Sequence, residues 1–144
     1  MDKLSQKTFR LLKKIKDPKF EIDRLEFYSL SLFIGLKDFQ ILIADSETKQ
    51  VVLLEDYVFD TQLNDFEKSQ VIKFIFDDHH LLLANFWKAI DVVIKNRTFS
   101  FVPENLYIEN KISSYLKMHT SFDPQSDEIM LTYHKKLDFV NVFT

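Results

Sequence analysis

The sequence predicts an α/β domain built on a mixed sheet, and three observations lead to this prediction. Residues 28–36 alternate between two sets of side chains with a period of two, and residues 39–44 and 50–59 are rich in Val, Ile, Leu and aromatic residues, which is typical of strands. After them, segments with helical and strand-like patterns alternate along the chain. The chain has 144 residues and 46% hydrophobic content, which is the size and composition of one folded domain.

The N-terminal segment carries a concentrated positive charge. Residues 1–20 hold seven Lys or Arg side chains and two Asp, although the whole chain has a formal net charge of −3. Apolar residues of this segment recur on one side of a helix: Leu4, Leu11, Leu12 and Ile15. We therefore predict an amphipathic helix over residues 2–16, ended by Pro18, and interpret residues 1–20 as a basic helix appendage. Packing on the domain is its favoured role, and contact with an anionic membrane surface is the alternative.

The alternating segments predict an antiparallel meander of three strands. The strands cover residues 28–36, 39–44 and 50–59, and short polar turns connect them. Asn64 and Glu67 then have the spacing of a capping box and predict a helix over residues 64–80.

The second half of the chain continues with alternating strands and helices. The predicted elements are a strand over 87–95, a strand over 98–102, a helix over 103–118 and two final strands over 128–133 and 138–143. Counting the adjacent strands within 87–102 and within 128–143 as one β element each, we summarise the predicted order as β-β-β-α-β-α-β, with residues 21–144 forming a single domain.

This order is similar to the ribonuclease-H-like unit, which occurs singly in nucleases and as a pair in actin-like ATPases. Residues 28–32, 36–41 and 98–107 resemble more closely an uncharacterised bacterial family, domain-of-unknown-function family 3822, and so do residues 79–82. That family is assigned an actin-like ATPase fold. Its members are nearly twice as long as this chain and contain two such units. The resemblance therefore implies one half of an actin-like fold, without the second repeat unit.

Composition excludes several kinds of chemistry. The chain has no Cys, which removes disulfides, thiolate zinc sites, iron–sulfur clusters and cysteine nucleophiles. Its single Gly, Gly35, is too few for the glycine-rich loops that bind nucleotide phosphates. Beyond residue 20, Lys and Arg are not interleaved with the aromatic residues, so we expect no nucleic-acid partner.

The enzymatic sites that the resemblance implies lack their residues. An actin-like ATPase has the pattern Asp-x-Gly-Thr in its first hairpin, whereas no Asp precedes Gly35 here and no Thr or Ser follows it. A ribonuclease-H-like nuclease holds two metal ions with three or four carboxylates, and the candidates are Asp38, Glu67 and Asp91. The first strand contributes none, since no acidic residue lies between Tyr28 and Lys37. We expect no catalytic residue and no cofactor.

One short segment has the composition of a metal site. Asp77-Asp78-His79-His80 contains two types of ligand, but zinc needs three or four convergent ligands, and His119 and His134 are remote in the sequence. We interpret the segment as the solvated end of a helix and expect no metal ion.

The last strand is predicted to be an exposed sheet edge. Its apolar residues form a candidate interaction surface: Phe139, Val140, Val142 and Phe143. Unpaired backbone groups beside apolar side chains favour pairing with another chain, so we expect a protein partner, and self-association through this edge is one form of it.

These observations favour a non-enzymatic interaction or scaffold protein with a degenerate actin-like fold. The alternative is an ATPase or nuclease whose site is completed by a missing second half. Because no apolar segment follows the basic stretch, we expect no secretory signal, no transmembrane segment and a cytoplasmic location. The sequon at Asn96 is then not glycosylated.

Overall fold

The computed structural model describes residues 8–59, 63–118 and 120–144. The chain divides into two compact units, residues 1–95 and 96–144, called here the first and the second unit. Each unit has its own sheet and its own hydrophobic core. This division differs from the predicted one, which joined residues 21–144 in a single domain and set residues 1–20 apart as a basic helix appendage.

The first unit contains a mixed sheet of five strands in the order β1-β4-β3-β2-β5. Strands β2, β3 and β4 form the predicted antiparallel meander, and β5 runs parallel to β2. The strands are β1 (Phe9–Lys16), β2 (Tyr28–Ile34), β3 (Asp38–Asp45), β4 (Val51–Phe59) and β5 (Ala89–Ile94).

The core of the first unit lies on one face of this sheet, against helix α1 (Asp65–Asp78). Alternate residues of β2 and β3 point to this face, and Leu30, Ile41 and Ile43 are fully buried there. From α1, Val71 and Ile75 belong to the same core.

Helix α1 begins where the sequence predicts. The Asn64 side chain accepts a hydrogen bond from the Glu67 N–H (2.8 Å), and the Glu67 carboxylate accepts one from the Asn64 N–H (2.9 Å). These bonds satisfy two backbone donors that a helix otherwise leaves free. The helix ends at Asp78 rather than at residue 80, because His79 adopts an extended backbone.

The predicted N-terminal helix is wrong over the residues that the structure describes. Residues Phe9–Lys16 form β1, which pairs antiparallel with β4 from Phe9 opposite Phe59 to Lys16 opposite Leu53. Pairing with the edge of β4 satisfies the backbone hydrogen-bonding groups of β1. This pairing outweighs the helical spacing of Leu11 and Leu12, which are half exposed. Residues 1–7 of the predicted helix lie outside the described residues.

The second unit contains an antiparallel sheet of three strands in the order β6-β8-β7 and a short helix, α2. Its core contains Val102, Leu116, Val140 and Val142. The elements are β6 (Phe99–Pro103), α2 (Ile112–Lys117), β7 (Met130–His134) and β8 (Phe139–Phe143).

Helix α2 is much shorter than the predicted helix over 103–118. Two 3-10 turns, Glu104–Leu106 and Glu109–Lys111, precede it, and the backbone between them is extended. The Tyr115 hydroxyl explains this break, since it accepts a hydrogen bond from the Ile108 N–H and donates one to the Leu106 carbonyl. A side chain thus binds backbone groups that a continuous helix would use.

The predicted free edge at the C-terminal strand is also wrong. Strand β8 is the central strand of its sheet, paired with β6 on one side and β7 on the other. Its backbone therefore forms sheet hydrogen bonds on both sides, and Val140 and Val142 are fully buried.

No helix of the described residues has the length and apolar content needed to cross a membrane.

Candidate functional site

The β2–β3 hairpin is the position at which an actin-like ATPase would bind phosphate. Here the Gly35 N–H donates to the Asp38 carbonyl (2.8 Å), which closes a tight turn. A Cβ atom on Gly35 would lie 1.7 Å from the Asp38 Oδ1 atom, so the carboxylate packs directly against the glycine. The turn thus holds an acidic side chain close to its backbone, where a bound phosphate would meet like charge.

The three carboxylates considered for a nuclease site have separate surroundings. Asp38, at the hairpin end of β3, lies opposite Val58 of β4. Asp91 of β5 lies opposite Ser31 of β2. The Glu67 carboxylate caps α1. Within the described ranges, no three His, Asp or Glu side chains converge in a way that could hold a metal ion.

A different acidic residue, Glu55, forms the most concentrated polar cluster of the first unit. Glu55 lies on the core side of β4 and is only 1% exposed. Its Oε1 atom is 2.6 Å from the Lys14 Nζ atom, and its Oε2 atom is 2.8 Å from the His79 Nε2 atom. The Tyr57 hydroxyl also donates to Oε2, at 2.9 Å. Three donors therefore surround one buried carboxylate.

The fold brings these side chains together from three elements. Lys14 lies directly opposite Glu55 across the β1–β4 pair. Tyr57 follows two residues later on the same face of β4, as the period of a strand requires. His79 is placed by the end of α1, where its N–H still donates to the Ile75 carbonyl (2.9 Å).

The surroundings of Glu55 favour its ionised form. Burial alone would raise the pKa of this carboxyl, but the hydrogen bonds from His79, Lys14 and Tyr57 lower the pKa to about 2. Burial and the bond to Glu55 raise the pKa of the Tyr57 hydroxyl. At neutral pH the cluster therefore contains a carboxylate and a neutral phenol.

Both ring nitrogens of His79 are engaged. Its Nδ1 atom accepts a hydrogen bond from the Leu81 N–H (3.2 Å), which assigns the proton of a neutral ring to Nε2. The Nε2–H group then donates to Glu55. Between Leu81 and Glu55, the ring holds the carboxylate in place.

A cleft of about 200 Å³ adjoins this cluster. Its lining is mixed, with Phe9, Leu11 and Phe74 beside Asp78 and His80. Beside this cleft, Glu55 binds both Tyr57 and His79. The arrangement joins β1, β4 and the end of α1.

The Asp77-Asp78-His79-His80 segment does not act as one ligand set. The Asp77 carboxylate pairs with Lys73 on the exposed side of α1 (2.6 Å). The His79 ring binds Glu55 on the opposite, buried side, and the His80 ring stacks on it with 5.4 Å between centroids.

In the second unit, the sheet has one face covered by its core and one exposed aromatic face. The strand registers place nine residues on this aromatic face: Phe99, Phe101, Pro103, Met130, Thr132, His134, Phe139, Asn141 and Phe143. Phe101 is 60% exposed, and its ring lies 5.0 Å from that of Phe139. No Asp, Glu, Lys or Arg lies among these nine positions.

The candidate surface predicted from the sequence is divided by the alternation of β8. Phe139 and Phe143 lie on the aromatic face, whereas Val140 and Val142 lie in the core. Sequence reasoning missed Phe101, although the segment from Phe99 to Val102 alternates between large and small side chains. It also missed Glu55, whose signal was an acidic residue at an inward position between Leu53 and Tyr57.

The strand order β4-β3-β2-β5, with an antiparallel meander and a parallel fourth strand, confirms the ribonuclease-H-like arrangement in the first unit. The chain has an actin-like ATPase fold. A crystal structure of a Bacteroides thetaiotaomicron protein with this fold and unknown function matches with a TM-score of 0.67 and 18% identity. The match covers 86% of this chain and 46% of that chain, so this chain spans less than half of its structural neighbour.

The family model described as protein of unknown function (DUF3822) matches residues 17–144. The chain therefore belongs to this family, as its sequence motifs predict. No curated protein matches the chain.

Proposed function

We propose that this chain is a non-enzymatic interaction protein that uses an actin-like fold as a platform for binding another protein. The observation that carries the proposal is the aromatic face of the second unit. Exposed aromatic side chains that lie together on a rigid sheet mark a binding surface, because their transfer from water to a partner is favourable.

The composition of this face indicates the chemistry of the partner. A surface that binds nucleic acid combines aromatic rings with Lys or Arg. The nine positions of the aromatic face include aromatic rings but no Lys and no Arg. We expect the partner to offer an apolar protein surface.

Two features of the first unit favour this function over an ATPase or a nuclease. The β2–β3 turn contains the Asp38 carboxylate against Gly35 instead of groups that bind phosphate. The Glu55 cluster, which has the composition of an acid–base site, has its donors and acceptors bound to one another.

Site-specific photo-cross-linking in the native host tests the proposal. A benzophenone amino acid replaces Phe101 on the aromatic face or, as the matched control, Tyr133. Tyr133 is also an aromatic strand residue and is 55% exposed, but it points to the other side of the sheet. We expect one predominant protein adduct from position 101 and none of the same mass from position 133. The same adducts from both positions, or none from 101, would contradict the proposal.

A further inference from the structure

Strand β5 forms one edge of the five-stranded sheet. Among the described strands, only β2 pairs with it, so the backbone groups on its other side have no strand beside them. All six residues of β5 are exposed, and Ile94 is the most exposed of its large apolar side chains at 65%. This edge is separate from the aromatic face and does not depend on the function proposed for that face.

The edge lacks the usual protection against pairing. Proteins guard exposed edges with Pro, bulges or inward-pointing charges. Strand β5 contains no Pro, and its register with β2 is regular from Ala89 to Ile94. Its single charged residue is Asp91. The strand is therefore a regular, largely apolar template for another strand.

The charges at this edge are complementary to themselves. Asp91 and Lys95 are four residues apart and point to the same side of the sheet, because side chains alternate along a strand. The Lys95 N–H donates to the Ile34 carbonyl (2.8 Å), so the strand-like path extends to Lys95. Neither side chain has an ion-pair partner among the described residues.

An antiparallel copy of β5 can satisfy both charges in one register. When Val93 lies opposite its own copy, Asp91 lies opposite Lys95 of the other chain, twice by symmetry. On the other side of the sheet, Val92 then lies opposite Ile94. Directly opposed pairs of opposite charge stabilise a sheet, and like charges destabilise it.

Two of the neighbouring registers satisfy these charges less well. A register with Asp91 on the two-fold axis puts two carboxylates opposite each other. A register with Val92 on the axis puts Asp91 opposite Val93 and leaves Lys95 without a partner. Symmetric pairing requires the same patch on both copies, which a two-fold axis through Val93 provides.

We propose that two copies of this chain associate through their β5 edges, with Val93 on the two-fold axis and Asp91–Lys95 ion pairs on either side. The product is a continuous sheet of ten strands, five from each copy. The contact is small compared with standard protein interfaces, so the dimer forms reversibly and depends on concentration.

Sedimentation equilibrium of the full chain, over about a hundredfold range of concentration, tests this proposal. We expect a monomer–dimer equilibrium. Asp91→Lys and Lys95→Asp, which place like charges opposite each other, each raise its dissociation constant at least about tenfold. The double variant that exchanges the two charges restores the dimer to within about threefold of the wild type. The control is Glu47→Lys, which makes the same charge change in the β3–β4 turn and leaves the dimer unchanged.

Each variant changes an exposed side chain, and circular dichroism verifies that it folds. A chain that stays monomeric at every concentration overturns the proposal, and so does a dimer that is insensitive to both single charge reversals. A dimer lost in Phe101→Lys but kept in Asp91→Lys would place the contact on the aromatic face and would also overturn it.

Discussion

The Glu55 cluster and the aromatic face contrast in where they place polar and apolar groups. In the first unit, a carboxylate is buried and both of its oxygens are bound by Lys14, Tyr57 and His79. In the second unit, the Phe101 ring lies at the surface although its sheet has a core on the other side. The polar group has its partners within the chain, and the apolar one is still largely in contact with water.

The two regions differ in how readily they can interact with another molecule. A buried cluster of Glu, His, Lys and Tyr has the composition of a catalytic site, but catalysis needs a group that remains available to a substrate. Here the three donors are bound to Glu55, and we expect the cluster to contribute to stability. Covering the aromatic face with a partner removes its apolar side chains from water, which is favourable. This is the property of a binding surface.

The largest effect is expected from breaking the Glu55 cluster. Glu55→Ala removes the partner of His79, which is buried, and leaves the Tyr57 hydroxyl without its acceptor. We expect a loss of about 3–5 kcal/mol in the free energy of unfolding, measured with urea. Asp56→Ala is the control, because Asp56 lies on the other side of β4 and accepts one long bond from Gln40 (3.3 Å). Equal losses in the two variants would contradict a special role for Glu55.

The second prediction compares the two faces of the β6-β8-β7 sheet. Leu116→Ala removes a side chain that is 0% exposed, and we expect a loss of about 2–5 kcal/mol. Phe101→Ser changes a larger side chain on the aromatic face, and we expect the free energy of unfolding to change by less than about 1 kcal/mol. A large loss in Phe101→Ser would show that this face is already covered within the chain.

The third prediction concerns pH. The pKa of Glu55 lies near 2 in the folded protein, below its ordinary value of 4.5, so the unfolded chain binds this proton more readily. The stabilisation is complete above about pH 4.5 and is lost as the pH falls towards 2. We expect wild type to lose about 1–2 kcal/mol more than Glu55→Gln between neutral pH and pH 3, measured by urea unfolding at each pH. Parallel pH profiles for the two proteins would be incompatible with an ionised Glu55.

Much of the fold was predictable because its signals are local. The meander follows from the alternation of residues 28–36 and the β-forming composition of residues 39–44 and 50–59, and the start of α1 follows from Asn64 and Glu67, which are neighbours on one helical turn. The N-terminal strand was not predictable in this way, because β1 exists only through its hydrogen bonds to β4, far along the chain. Likewise, nothing within β8 indicates that strands pair with it on both sides.

The candidate site was less predictable than the fold. The inward position of Glu55 follows from the alternation of β4, but its partners Lys14 and His79 come from elements on either side of that strand in the sequence. Their meeting depends on tertiary structure. Part of the aromatic face is predictable, since the apolar run of β8 contains Phe139 and Phe143. The same run contains Val140 and Val142, which the alternation of the strand places in the core.

Isothermal titration of the chain with Mg-ATP tests the central claim, that this actin-like fold has no nucleotide site and serves binding instead. We expect no measurable heat of binding, because the β2–β3 turn presents the Asp38 carboxylate against Gly35 in the place of a phosphate. A dissociation constant in the micromolar range, about −8 kcal/mol, would contradict it.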